Sequence, residues 1–349
     1  MFILYTTEDM LYRICENASS DCVLDLWYKI ILSTKQVAVQ KEQIDTTNPW
    51  IQVLHRMDVK IYAEEEWLEE VFANNQLALE EPTASFLLDL PRDISQNLQN
   101  NYGIACYTTG TTPDMPFFAN RGWHIDTADC DKEKSWEAFL GDLTVPSNSI
   151  VIVDRYLFSS NPGETIEDSF TNLIQILNRL LPQSMASGVL DVSIVFDFDT
   201  INFKKDKKPD GTEIDMPYLA KRINKLKKEI NRPYAYNISL LSINANCLNY
   251  DKTHNRKIFS NYYIIRAEHK LKAYNDKKRA LCDQELTFSY IFSDGLNDRS
   301  SVPEKSKDQT IKALKEIINS EAKAIKPSMM IYRNGQNIPI SEYSNVLFS

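Results

Sequence analysis

Four short apolar runs constrain the fold more than any other feature of the chain. They are SIVIVD at 149–154, LDVSIVFDF at 190–198, NISLLSI at 237–243 and KIFSNYYII at 257–265. Each is rich in β-branched and aromatic residues and too short for a buried helix, so each predicts a strand. Helical patterns separate the first three. After Gly163, Thr165 stands at an N-cap with Asp168 three residues later. Ile166, Phe170, Leu173, Ile174, Leu177 and Leu181 then form one stripe, and Pro182 stops it. From Pro217 to Arg232, Leu219, Ile223, Leu226 and Ile230 share one side, while Lys221, Lys225, Lys228 and Arg232 share the opposite side.

This alternation predicts the α/β class, a mixed sheet flanked by helices. Upstream, a helix over 92–101, Gly103 as its stop, a strand over 104–108 and a short helix over 135–140 continue the pattern. Downstream come a helix over 308–322 and a hairpin at Asn334-Gly335. The N-terminal stretch reads as irregular, acidic α/β: a strand over 2–5, a helix or strand over 23–32 and an acidic helix from Glu64 through Trp67 to Phe72. A division near 85 gives an acidic region 1–85 and an α/β region 86–349. Two regions suit 349 residues.

Charge is unevenly placed. Residues 201–280 hold 19 Lys and Arg against 8 Asp and Glu, a surplus of eleven that leaves the rest of this −9 chain at −20. Such asymmetry points to a face for a polyanion, DNA or RNA, on an acidic body. Its members are Lys204, Lys205, Lys207, Lys208, Lys221, Lys225, Lys228, Arg232, Arg256, Lys257 and Arg266, with Tyr262, Tyr263 and Tyr274 placed to stack on bases. The six cysteines form no CxxC pair, which speaks against a zinc ribbon or a disulfide framework. No apolar run is long enough for a membrane span, and the first residues lack the pattern of a signal peptide, so the expected setting is cytoplasmic.

Only four histidines are present, and one lies in the segment His254-Asn255-Arg256-Lys257-Ile258-Phe259-Ser260-Asn261. On an extended strand, His254 and Arg256 project from one face, which puts a nucleophile beside a cation suited to phosphate oxygens. The segment resembles the HxKxxxxD signature of the phospholipase D-like superfamily, here HxRxxxxN. The resemblance implies an α/β phosphodiesterase or nuclease fold, His254 as nucleophile, Arg256 as phosphate ligand, Asn261 in the carboxylate's place, and no metal. It also implies a setting such as prokaryotic genome defence. The Gly-Ser pair that follows in the family is replaced by Ala267-Glu268-His269-Lys270. A single motif calls for a homodimer, or for a domain kept for binding with its chemistry lost.

Other readings use carboxylates. Asp197-Phe198-Asp199-Thr200 and Ser293-Asp294-Gly295-Leu296-Asn297-Asp298 resemble motifs of haloacid dehalogenase-like hydrolases. That resemblance implies Asp197 as nucleophile, Asp199 as general acid, and Mg²⁺ on Asp294 and Asp298. Asp89, Asp154 and Asp197 at strand ends suit a metal-dependent nuclease, and His124, Asp126 and Cys130 suit an incomplete zinc site. A non-enzymatic module that senses a ligand or a protein partner is the remaining class.

Overall fold

A computed structural model describes residues 3–63, 85–87, 92–103, 105–110, 120–127, 135–141, 146–185, 190–253, 256–275, 277, 279–291 and 302–348. Among the described residues the chain is α/β, built on two sheets. The first has five strands, all parallel: β1 (Leu4–Thr7), β2 (Gln36–Gln40), β3 (Lys60–Ala63), β4 (Ser85–Leu87) and β5 (Ala105–Tyr107), in the order β3-β2-β1-β4-β5. Helices α1 (Glu8–Asn17), α2 (Cys22–Thr34), α3 (Pro49–Arg56) and α4 (Arg92–Tyr102) lie between these strands. The N-terminal region is therefore regular. Its acidic helix expected around Trp67 lies outside the described residues. The expected division at 85 runs through this sheet, because β4 and β5 complete it.

The second sheet has nine strands among the described residues. β6 (Asn120–Ile125) is followed by α5 (Trp136–Leu140), β7 (Ser149–Val153), α6 (Ile166–Leu180), β8 (Leu190–Asp197), α7 (Met216–Ile230) and β9 (Tyr236–Ile243). Then come β10 (Lys257–Ser260), β11 (Tyr263–Ala267), β12 (Gln284–Tyr290), α8 (Val302–Lys323), β13 (Met330–Arg333) and β14 (Gln336–Ile338). The order is β14-β13-β9-β8-β7-β10-β11-β12-β6, with β7, β8 and β9 parallel and the other pairs antiparallel. The run KIFSNYYII is thus two strands rather than one, folded back at Asn261 and Tyr262.

Sequence signals account for the helices that cover this sheet. Asp168 accepts hydrogen bonds from the backbone N–H and the hydroxyl of Thr165, which fixes the start of α6. Asp215 caps α7 through the Tyr218 N–H, and Asn231 ends it in the left-handed region at φ +46°. Even-numbered residues of the central strands, Ile150, Ile152, Ile194 and Phe196, pack into one core with the apolar stripes of α6 and α7. Odd-numbered Val151, Val153 and Val195 pack with Leu314 and Ile317 of α8 on the other face. Both faces of the central strands are covered, which decides the fate of every charged residue on them.

The two sheets share one apolar core among the described residues, and two close approaches mark where they meet. The Tyr262 hydroxyl, wholly buried, accepts a hydrogen bond of 2.7 Å from the Ala105 N–H of β5. Gly103 ends α4 at φ +63°, and a Cβ there would lie 2.3 Å from the Ser147 carbonyl oxygen. Gly103→Ala is expected to lower stability by on the order of 2–3 kcal/mol, since both backbone conformation and space exclude a methyl group. Denaturant unfolding midpoints of the full chain check this.

Candidate functional site

β7 and β10 are antiparallel with Lys257 opposite Val153, so the next residues outward, Arg256 and Asp154, end neighbouring strands side by side. Both continue the even-numbered face. Asp154 is wholly buried: one carboxylate oxygen accepts from the Tyr156 N–H and the other from the Leu271 N–H, each at 2.9 Å. Burial pushes its carboxyl above the usual range, against these two N–H groups and the nearby Arg256 guanidinium. Arg256 lies over the Tyr156 ring, 5.4 Å from its centroid, and its buried Nε has no hydrogen-bond partner among the described residues. It lines a cleft of about 670 Å³, together with Tyr156 and Asn161 from the β7–α6 connection and Lys270 and Asp283 from the β11–β12 connection.

A second cation enters the same cleft. Glu164, 4% exposed, takes the Lys270 ammonium on one carboxylate oxygen and the Lys272 ammonium at 3.0 Å on the other. Burial would raise its pKa, yet the hydrogen bond from Lys270 and the charge of Lys272 hold it below the ordinary glutamate range. Lys272 is wholly buried and also reaches the Ser159 carbonyl. Its own pKa is lowered because burial disfavours the charge more than Glu164 restores it.

The residues proposed from sequence separate into distinct places. His254 lies outside the described residues, two positions before Arg256. Asn261 stands at the opposite end of β10, about 16 Å along an extended chain from Arg256. Its side-chain oxygen accepts from the Ser147 hydroxyl and the Asn148 and Ser149 N–H groups, while its amide donates to Asn148. These bonds hold the start of β7, away from the cleft. Lys257 points to the other face, buried under α8 with its ammonium on Thr310 at 2.8 Å and Ser306 at 3.3 Å. Arg266 pairs with Lys257 across β10 and β11 and is half-buried.

Among the other basic residues, Lys221, Lys225 and Lys228 are exposed on α7, and Lys204 on the loop before it. Lys205 donates to the Asn161 and Glu164 carbonyls at the cleft rim. Lys207 and Lys208 pair with Glu213 and Asp215. Arg232 is spent on the carbonyls of Asn178, Leu181 and Pro182 at the end of α6. Tyr262, Tyr263 and Tyr274 are buried and present no face to a base. The basic residues therefore do not converge on one surface: a stripe runs along α7, a cluster borders the cleft, and Arg232 and Lys257 are internal.

The carboxylate readings gain no assembled site. Asp197 follows the odd-numbered face, opposite Asp154, and accepts from the Tyr250 hydroxyl and the Asp199 N–H. Asp199 and His124 are exposed. Asp89, Cys130, Asp294 and Asp298 lie outside the described residues, and among the described residues no three His, Cys, Asp or Glu side chains group as metal ligands. No protein-family model matches the chain, and no curated protein matches it.

Glu164, Lys270 and Tyr156 escape a motif reading, because Glu164 and Lys270 are 106 positions apart. Asp154 carried a local signal, an acid at the end of a buried strand, which sequence assigned to a metal.

Two outcomes follow for the internal residues. Asn261→Ala is expected to cost roughly 2–3 kcal/mol by leaving buried donors unpaired, measured by thermal or denaturant unfolding. Burial, with Arg266 beside it, lowers the Lys257 pKa to about 8, against about 10.4 in an unfolded chain. Between these values the unfolded chain binds the extra proton, so stability rises with pH through this window. In a pH series from 7 to 10.5, wild type should gain on Lys257→Met above pH 8, by at most about 1.4 kcal/mol per pH unit.

Proposed function

We propose that the chain engages nucleic acid through a divergent phospholipase D-like domain centred on the second sheet. The observation that carries this reading is Arg256: it stands immediately before β10 in a cleft, with a buried Nε that has no hydrogen-bond partner among the described residues. Its planar fork suits phosphate oxygens. His254, two residues earlier, is the nucleophile that the resemblance implies, and Arg256 supplies the cation beside it. No metal enters this scheme. Asn261 serves the fold, holding the register that delivers Arg256 to the cleft.

Exposed Lys221, Lys225 and Lys228 form a separate basic stripe on α7, and a phosphate backbone is the partner that such a stripe attracts. A single motif offers one nucleophile, so turnover requires a two-fold homodimer in which both copies present the same patch. A chain that binds without turnover retains the cleft alone. Among the described residues no helix is long and apolar enough to cross a membrane. We place the protein in the cytoplasm and, following the resemblance, in a setting such as prokaryotic genome defence.

Binding of single-stranded DNA or RNA is expected to weaken steeply as salt rises. Changing Lys221, Lys225 and Lys228 to Glu should flatten the plot of log affinity against log salt by up to about 2.1–2.7, at roughly 0.7–0.9 per lost phosphate contact. Fluorescence anisotropy at several salt concentrations measures this, and indifference to the triple change would assign those lysines to plain solvation. Phosphodiester hydrolysis, where present, should survive EDTA and vanish in His254→Ala. Loss in EDTA with normal activity of His254→Ala would transfer the chemistry to the carboxylates.

A further inference from the structure

The charges around the cleft do not cancel. Glu164 is shared between Lys270 and Lys272, so these three groups keep one net positive charge. Asp154, behind Arg256, has both oxygens on backbone N–H groups, and its burial disfavours the ionised form. Asp283 also lines the cleft; the N–H and hydroxyl of Thr127 that it accepts from favour its ionised form, so one negative charge stands at the rim. Two cations, the Arg256 guanidinium and the Lys270 ammonium, are left facing one cleft.

We infer that this cleft seats a phosphomonoester, the terminal phosphate of a nucleotide that is either free or at the end of a single strand. This rests on the reading above and narrows it from a phosphodiester backbone to a phosphate end. The donors favour the end: a monoester offers three terminal oxygens and about −1.5 to −2 at neutral pH to the Arg256 fork and the Lys270 ammonium, whereas an internal diester offers two such oxygens and −1. Size agrees. A cleft of about 670 Å³ lies in the range that holds a small ligand, and a duplex, whose major groove alone is about 12 Å wide, does not enter it. Glu164 is a positioning residue: buried and held from behind by Lys272, it fixes the Lys270 ammonium where a flexible side chain would otherwise swing into water. Lys270 falls in the segment that replaces the Gly-Ser pair of the phospholipase D-like pattern, so this second cation belongs to this chain.

Cys282 provides a local reporter. It lines the cleft, half-buried, whereas Cys22 is exposed elsewhere and serves as an internal control. The full chain is alkylated with iodoacetamide, and modification of each cysteine is followed by peptide mass spectrometry. The probes are AMP, its phosphate methyl ester, inorganic phosphate, and a short single strand with and without a 5′-phosphate, each also titrated calorimetrically.

AMP or the phosphorylated strand should slow modification of Cys282 but not Cys22, and should bind at least about tenfold more tightly than the methyl ester or the unphosphorylated strand. Protection by AMP identifies a seat for free nucleotide, and protection by the phosphorylated strand alone identifies a strand-end seat. Lys270→Gln should lose about tenfold in affinity for the phosphorylated probe and Lys270→Arg should recover most of it, with both variants folded by their unfolding midpoints. Equal protection by phosphorylated and unphosphorylated strands would overturn the inference and leave the wider reading standing. Salt-sensitive binding without protection of Cys282 by any probe would overturn the inference and remove the cleft from the wider reading as well.

Discussion

The site depends on the buried carboxyl of Asp154. It bonds two backbone N–H groups from segments more than a hundred residues apart, Tyr156 in the β7–α6 connection and Leu271 beyond β11. A buried carboxyl of this kind is tolerable only when its oxygens are paired, so the connections that satisfy it are also held in place by it. These two connections are the walls of the cleft. Arg256 lies between them because the antiparallel register of β7 and β10 sets it opposite Asp154. Replacing Asp154 would therefore disturb both walls and the guanidinium together.

The strand alternation then sorts the charges. In a sheet covered on both faces, a charged residue must end its strand, find an internal partner, or be costly. Arg256, at the strand end, opens into the cleft; Lys257, one residue on, faces the opposite way and is buried under α8. Two adjacent cations thus have unrelated roles. The same logic places Asp154 and Asp197 on opposite faces, although both end buried parallel strands.

Much of the second sheet was legible in the sequence because its signals are local. The capping pair at Thr165 and Asp168, the apolar stripe of α7 and the Asn334-Gly335 turn each act within a few residues, and each appears where its pattern predicts. The bend inside KIFSNYYII was not legible. No glycine or proline marks it, and the turn is held by Asn261 bonding to Ser147–Ser149, which no local pattern encodes. The first sheet was legible only at β1 and β5, near the strands expected over 2–5 and 104–108; β2, β3 and β4, of three to five residues, show too little periodicity to read. At the site, Arg256 was found through its two-residue spacing from His254. Glu164 and Lys270 meet only through the fold, and charge counting alone could not separate the lysines of α7 from buried Lys257 or from Arg232, which is spent on carbonyls.

The central claim is that nucleic acid reaches the Arg256 cleft, and hydrogen–deuterium exchange of the full chain with and without single-stranded DNA at low salt tests it most directly. The account predicts slower exchange in peptides covering 156–164 and 268–272, the two walls tied by Asp154, together with any effect on α7. Protection confined to α7, with both walls exchanging as in the free protein, would contradict it.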